Sequence, residues 1–202
     1  MAARKIYDLI DRAKSTIRTE NGAKLSQVRG EIAFKNIAFT YPTRLDKSVF
    51  SDLSLTIPAG RRVGLVGESG SGKSTITQLI LRFYDPAAGS VMLDGVDIKT
   101  LDLQWYRSQI GLISQEPILF ATSIIENVRF GLPSATDEQV YEACRQANAH
   151  DFILEFPDQY NTFVGNSGSQ ISGGQKQRIC LARAFIRKPR LLIGDEATSA
   201  LE

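Results

Sequence analysis

The feature that most restricts the fold of this 202-residue chain is a glycine-rich segment, Gly67-Glu68-Ser69-Gly70-Ser71-Gly72-Lys73-Ser74, which is followed by Thr75. It fits the pattern G-x-x-x-x-G-K-[ST]. It also lies between an apolar run at 63–66, predicted to be a strand, and a helical pattern from Lys73 to Phe83. Glycines let successive backbone N–H groups point at one anion, and the N-terminus of the following helix adds positive potential. The segment therefore predicts a phosphate-binding loop.

Two side chains of this loop suit nucleotide chemistry. Lys73 supplies a mobile positive charge for the β- and γ-phosphates, and the Ser74 hydroxyl can hold Mg²⁺. The loop alone fits kinases, GTPases and transport ATPases. A second motif narrows the choice, because an apolar strand at 191–193 leads into Asp195 and Glu196. Side chains alternate along a strand, so Asp195 can hold the Mg²⁺ shell while Glu196 polarises the attacking water.

Composition and charge weigh against several classes of function. The chain has 24 Lys and Arg against 22 Asp and Glu, so its net charge of +2 gives no electrostatic case for binding nucleic acid. His150 is the only histidine, which leaves a histidine-ligated zinc site and a Ser-His-Asp triad with little support. Cys144 and Cys180 lie in apolar helical patterns and are predicted to be small buried residues rather than disulfide partners or metal ligands.

Strand and helix patterns alternate along the chain. Strands are predicted at 32–39, with an irregularity near Asn36, and at 49–57, 91–93, 110–113 and 191–193. Helices are predicted at 4–18, at 137–146 after the capping-box spacing that begins at Thr136, and from Gly173 to Arg187. This alternation indicates an α/β layered fold with a mostly parallel sheet. The stretch 117–172 has few strand signals and is predicted to be a helical insert.

The segment Ile171-Ser172-Gly173-Gly174-Gln175 opens the last of these helices. Together with the phosphate loop and Asp195-Glu196, it resembles the nucleotide-binding domain of an ABC transporter, whose signature reads LSGGQ. Ser172 as the N-cap, two glycines and a helix N-terminus favour a second phosphate site by the same physics as the first. The resemblance implies that this second site covers the γ-phosphate held by the opposite domain of a head-to-tail dimer.

Further segments match the family in chain order. Tyr41 lies where the family stacks an aromatic ring on adenine, and Gln115 lies at the Q-loop, which touches Mg²⁺ and the attacking water. Residues 199–202 match the D-loop, with Glu202 where Asp is usual. Four segments resemble the B subfamily of exporters, which includes the multidrug-resistance type. They are residues 5–11, 82–86, 124–128 and 147–153.

The resemblance implies an α/β fold of the ABC type of P-loop NTPase. This fold has a RecA-like core, an antiparallel β subdomain and an α-helical signature subdomain at about 117–172. Residues 1–29 are expected to form a helical linker after the last membrane helix, and residues 30–202 a nucleotide-binding domain that is C-terminally incomplete. Because the family's switch histidine would lie beyond Glu202, we expect the chain alone to show no steady ATP turnover. Gly194 and Asn166 replace an aliphatic residue and a glutamate that are usual in the family.

The predicted function is to bind MgATP and hydrolyse ATP to drive export, at the cytosolic face of a membrane. The expected partners are a second nucleotide-binding domain and the transmembrane domain of the same transporter, and not nucleic acid. Catalysis is assigned to Glu196, Gln115 and Lys73, Mg²⁺ binding to Ser74, Gln115 and Asp195, and nucleotide binding to Tyr41, Gly67–Thr75 and Ser172–Gln175.

Two alternatives stay open. One is a soluble ABC ATPase that acts on DNA or ribosomes, which the near-neutral charge and the exporter-like segments oppose. The other is a regulatory module that binds ATP without hydrolysing it, which Glu196 opposes.

Overall fold

A computed structural model describes residues 17, 21–114, 116–165 and 171–194. They belong to two compact units, Met1–Arg107 and Ser108–Glu202. The helix predicted at 4–18 lies outside the described residues except for residue 17. The division into a linker at 1–29 and a domain at 30–202 therefore stays a prediction. Within the described ranges, no helix is both long enough and apolar enough to cross a bilayer.

The first unit contains a four-stranded antiparallel sheet. Its strands are β1 (Ile32–Thr40), β2 (Ser48–Ile57), β3 (Ala88–Leu93) and β4 (Val96–Asp97), in the order β2-β1-β3-β4. The pairing register of β1 shifts beside Asn36, which has a φ of 49°. This bulge keeps the apolar side chains on one face, because Phe34 before it and Ile37 after it are both buried. The predicted irregularity near Asn36 is confirmed.

The antiparallel β subdomain is also confirmed, whereas a mostly parallel sheet is wrong for the described strands. The only parallel strand pair among them is in the second unit. Element order along the chain does not specify which strands pair. The segment 58–87 carries a helix between β2 and β3, yet β3 returns to pair antiparallel with β1.

The predicted strand at 63–66 is wrong. Residues 61–68 have no regular secondary structure and are exposed, and Val66 is 99% exposed. An apolar run becomes a strand only where a neighbouring strand satisfies its backbone groups, and no described strand pairs with this segment. The prediction used only the apolar character of the segment, which does not show whether a neighbouring strand is present.

The helix after the loop, α1 (Lys73–Ile80), is confirmed but ends before Phe83. The carbonyl of its last residue and the next two carbonyls of the chain are bonded by the neighbouring helix α2 (Leu103–Ser108). The Tyr106 hydroxyl donates to the Ile80 carbonyl at 2.6 Å, and the Arg107 guanidinium donates to the carbonyls of residues 81 and 82 at 3.0 and 2.9 Å. A cation at the C-terminus complements the helix dipole. These bonds fix the end of α1 that lies away from the loop.

The second unit contains the parallel pair β5 (Ile110–Ile113) and β6 (Leu191–Gly194). Gly194 keeps its place in the ladder opposite Ile113. The strand predicted at 191–193 is confirmed as β6, but its expected burial is wrong, since β6 is partly exposed and Leu192 is 47% exposed. Among the described strands, β6 pairs with β5 alone. One edge of this short sheet is thus uncovered in the part of the chain that the structure describes.

The described residues of the second unit also form the α-helices α3 (Ile124–Arg129), α4 (Asp137–Gln146), α5 (His150–Leu154) and α6 (Gly173–Phe185). The first three lie inside the predicted helical insert. The capping box is confirmed, since the Thr136 hydroxyl accepts from the Gln139 N–H and the Gln139 side chain accepts from the Thr136 N–H. The α3, α4, α5 and α6 helices share one apolar core, which includes Ile124, Val128, Val140, Cys144, Ile153 and Ile179.

Both cysteines are free thiols. The prediction that they are small buried residues is confirmed for Cys144, whereas Cys180 is only partly buried and packs against the same apolar core. Cys144 is fully buried, and burial raises the pKa of its thiol to about 11. Burial also raises the pKa of the half-buried Cys180. Because the thiolate is the reactive and metal-binding form, both side chains stay protonated and inert at neutral pH.

A buried polar network holds α6 against the segment that precedes α3. Asn127 is fully buried, and its amide donates to the carbonyls of Phe120 and Ser123 at 2.9 and 3.0 Å. Its Oδ1 accepts from the Phe120 N–H and from Arg183 of α6, each at 2.8 Å. The Arg183 guanidinium also donates to the carbonyls of Ile118 and Asn127 and lies 4.9 Å from the Phe120 ring centroid. Desolvation lowers the pKa of Arg183.

We predict that Asn127→Ala lowers the free energy of unfolding by about 2–4 kcal/mol, because it leaves several buried partners unsatisfied at once. Urea denaturation of the 202-residue chain measures the loss. Asn161→Ala is the matched control, since Asn161 is exposed and its loss should cost at most about 0.5 kcal/mol. Equal losses in the two variants would contradict the network's importance.

Candidate nucleotide-binding site

The glycine-rich loop forms a tight turn that ends at the start of α1. Gly70 and Gly72 have φ values of 83° and 96°, and the Ser71 N–H donates to the Glu68 carbonyl at 3.2 Å. Gly72 is the N-cap of α1 and offers no side-chain bond, and the first turn of the helix carries no acidic residue. The free N–H groups and the positive end of the helix dipole favour an anion at this end of α1.

Packing favours glycine at position 72. A Cβ atom there would lie 2.6 Å from two ring carbons of Phe50 and 3.2 Å from a methyl carbon of Val49. Both neighbours belong to β2, so the start of α1 sits directly against the antiparallel sheet. The sheet thereby fixes where the loop ends and the helix begins.

Lys73 folds back across the loop. Its ammonium donates to the carbonyls of Gly67 and Glu68 at 2.7 and 2.8 Å. An ammonium has three donors, so one remains for a bound anion while the other two hold the loop together. Ser74, the next residue, is exposed and presents its hydroxyl at the start of the helix. A hydroxyl at this position suits Mg²⁺, which prefers oxygen ligands.

Tyr41 is half-buried and is bonded to the same helix. Its hydroxyl lies 2.8 Å from the Thr75 hydroxyl and donates to the Gln78 side-chain carbonyl at 2.8 Å. Its ring makes edge contacts with the rings of Phe39 and Tyr84, at centroid distances of 5.0 and 5.4 Å. Gln78 was not among the residues predicted from the sequence. Its spacing of three residues from Thr75, which places both on one helix face, is the signal that could have found it.

The signature segment starts α6 in the second unit. The Ser172 hydroxyl accepts from the Gln175 N–H at 3.3 Å, and the Gln175 side chain accepts from the Ser172 N–H at 3.0 Å. A Cβ atom at Gly173 would meet no atom of the described residues within 4 Å. Ile171 is 5% exposed and joins the apolar core, which explains why isoleucine can replace the leucine of the signature.

The structure brings together only part of the predicted site. Tyr41 and Gly67–Thr75 lie in the first unit, and Ser172–Gln175 lie in the second. The remaining predicted site residues, Gln115, Asp195 and Glu196, lie outside the described residues, as do Asn166 and 199–202. Within the described ranges, no group of three or more His, Cys, Asp and Glu side chains could hold a metal ion. Of the three predicted Mg²⁺ ligands, only Ser74 is thus described.

Comparison with known proteins identifies the family. The model of the ABC transporter family matches residues 50–199. Multidrug resistance protein 4 of Entamoeba histolytica is 55% identical over the whole chain, and ABC transporter B family member 1 of Arabidopsis thaliana is 53% identical over the whole chain. The human mitochondrial potassium channel ATP-binding subunit is 57% identical over 87% of the chain. The chain spans 16%, 16% and 24% of the lengths of these three relatives.

A solved structure agrees with these sequence matches. The structure of a bacterial Atm1-family ABC exporter with ATP bound has a TM-score of 0.91 and 37% identity, covering 99% of this chain and 35% of that one. The predicted ABC-type P-loop NTPase fold is therefore confirmed. This chain belongs to the ABC transporter family, as a nucleotide-binding domain of the B-type exporters.

Proposed function

We propose that the chain binds MgATP at Gly67–Thr75 and hydrolyses it together with a second nucleotide-binding domain. The observation that carries the proposal is the start of α1. There, two left-handed glycines lead into an uncapped helix N-terminus, and the Lys73 ammonium is bonded to carbonyls of the same loop. Two loop carbonyls already hold Lys73 in place, so its position is set before a nucleotide arrives.

Each assigned residue has a distinct part in the proposed reaction. The loop N–H groups and Lys73 bind the β- and γ-phosphates. Ser74, Gln115 and Asp195 would hold Mg²⁺, which would neutralise the charge that develops on the phosphates. Glu196 and Gln115 orient water for in-line attack on the γ-phosphorus. Catalysis then comes from positioning and charge neutralisation.

The second half of the proposed site is the open start of α6. Ser172 and Gly173 present an N-capped helix start that no side chain of the described residues crowds at Gly173, which suits a γ-phosphate held by the opposite domain. Closure of two domains around two ATP molecules would drive a transmembrane domain, at the cytosolic face of a membrane. The three relatives are named as a multidrug resistance protein, an ABC transporter and an ATP-binding subunit of a potassium channel, which favours this function over action on DNA or ribosomes.

Lys73→Ala should weaken MgATP binding by about tenfold to a hundredfold, because it removes a charge-assisted contact to phosphate. Isothermal titration calorimetry of the chain with MgATP measures the change in affinity. Lys35→Ala removes the same charge from an exposed position on β1 and should leave the affinity unchanged. Unchanged affinity in Lys73→Ala would refute the assignment of the phosphate loop.

Ser172→Ala should leave MgATP affinity of the monomeric chain unchanged and abolish ATP hydrolysis by the intact transporter, because Ser172 acts on the nucleotide of the opposite domain. The loss of the N-cap costs about 1 kcal/mol of stability, so unfolding is measured in parallel. The two measurements are nucleotide titration of the chain and phosphate release by the transporter. If Ser172→Ala weakened binding to the monomer as much as Lys73→Ala does, the head-to-tail arrangement would be wrong.

A further inference from the structure

The Tyr41 hydroxyl joins two distant parts of the first unit. Tyr41 follows the last residue of β1, whereas Thr75 and Gln78 lie in α1, 34 and 37 residues further along the chain. Tyr41 donates its hydroxyl proton to the side-chain carbonyl oxygen of Gln78. The Thr75 hydroxyl is therefore the donor in its bond with the Tyr41 oxygen. The result is a chain of two hydrogen bonds, from Thr75 through Tyr41 to Gln78.

We propose that this chain of hydrogen bonds is a tether that sets the position of the Tyr41 ring relative to the phosphate loop, with Gln78 as a positioning residue. The inference rests on the proposed function and adds a role for the hydroxyl that is separate from any role of the ring face. Thr75 directly follows Lys73 and Ser74. The tether therefore links the residue expected at the base to the residues expected at the phosphates.

The aromatic neighbours alone do not fix this position. Phe39 and Tyr84 contact the Tyr41 ring at centroid distances of 5.0 and 5.4 Å and nearly perpendicular planes. Such apolar contacts restrict the tilt of a ring but tolerate sliding. Two hydrogen bonds of 2.8 Å fix the far end of the ring. Thr75 is 4% exposed, so its hydroxyl has little access to water as a replacement partner.

A ring that is held before the nucleotide arrives lowers the cost of binding. Immobilising a free aromatic side chain on association opposes affinity, and pre-organisation removes that cost. The tether should therefore strengthen the binding of ligands that carry a base and leave the binding of the phosphate chain unaffected. A purely structural role would weaken both.

The test compares two probes, MgATP and inorganic tripolyphosphate with Mg²⁺, on the 202-residue chain. Tyr41→Phe keeps the ring and removes the tether, and should weaken MgATP binding by about threefold to tenfold while tripolyphosphate affinity changes by less than about twofold. Gln78→Met should reproduce this pattern, and Gln78→Glu, which keeps an acceptor oxygen, should restore affinity to within about twofold of the parent. The Tyr41→Phe/Gln78→Met double variant should be no weaker than Tyr41→Phe alone.

Tyr84→Phe is the matched control, because it removes a hydroxyl from the neighbouring ring and leaves the tether in place. Unchanged MgATP affinity in Tyr41→Phe would overturn the proposal, and so would equal losses for both probes or an equal loss in Tyr84→Phe. If Tyr41→Phe fails to fold, Gln78→Met and Gln78→Glu decide the question.

Lys73→Ala distinguishes failure of the tether from failure of the proposed phosphate site. If Lys73→Ala weakens the binding of both MgATP and tripolyphosphate while Tyr41→Phe weakens neither, the phosphate site is supported and the tether is wrong.

Discussion

The absence of a side chain at residue 72 is the constraint on which the candidate site depends. The ring of Phe50 occupies the space that a Cβ atom would need, and the φ of 96° favours glycine independently. Because Phe50 belongs to β2, the antiparallel sheet determines where α1 begins. The start of α1 sets the positions of the proposed phosphate contacts. The loop ends at Gly72, and the next two residues, Lys73 and Ser74, are among those contacts.

Side chains of the described residues bond the carbonyls at the C-terminal end of α1 but not the N–H groups at its N-terminal end. This difference suits an anion site at the N-terminal end. The C-terminal carbonyls are satisfied by Tyr106 and Arg107. The N-terminal N–H groups have only Gly72 as a cap, with no side-chain bond. A helix with a bonded C-terminus and an open N-terminus concentrates its unsatisfied donors where the phosphate is proposed to bind.

Local sequence patterns predicted what is decided locally. The loop, the start of α1, the capping box at Thr136 and the N-cap at Ser172 each depend on residues within one turn. Patterns failed where a distant partner decides the outcome. The apolar run at 63–66 does not form a strand because no described strand pairs with it, and the Tyr41–Gln78 bond joins residues 37 positions apart. The fit of Gly72 against Phe50 likewise depends on tertiary packing, although the loop pattern itself contains this glycine.

The most direct measurement compares Gly72→Ala with Gly95→Ala in urea denaturation and MgATP titration. Gly95 has a φ of 85° and open space around it, so alanine there costs only backbone strain, about 1–2 kcal/mol. Gly72→Ala adds the collision with Phe50 and should lower the free energy of unfolding by about 2–4 kcal/mol and weaken MgATP binding at least about tenfold. Equal losses of stability with unchanged MgATP affinity would contradict the account that the sheet sets the phosphate loop through Gly72.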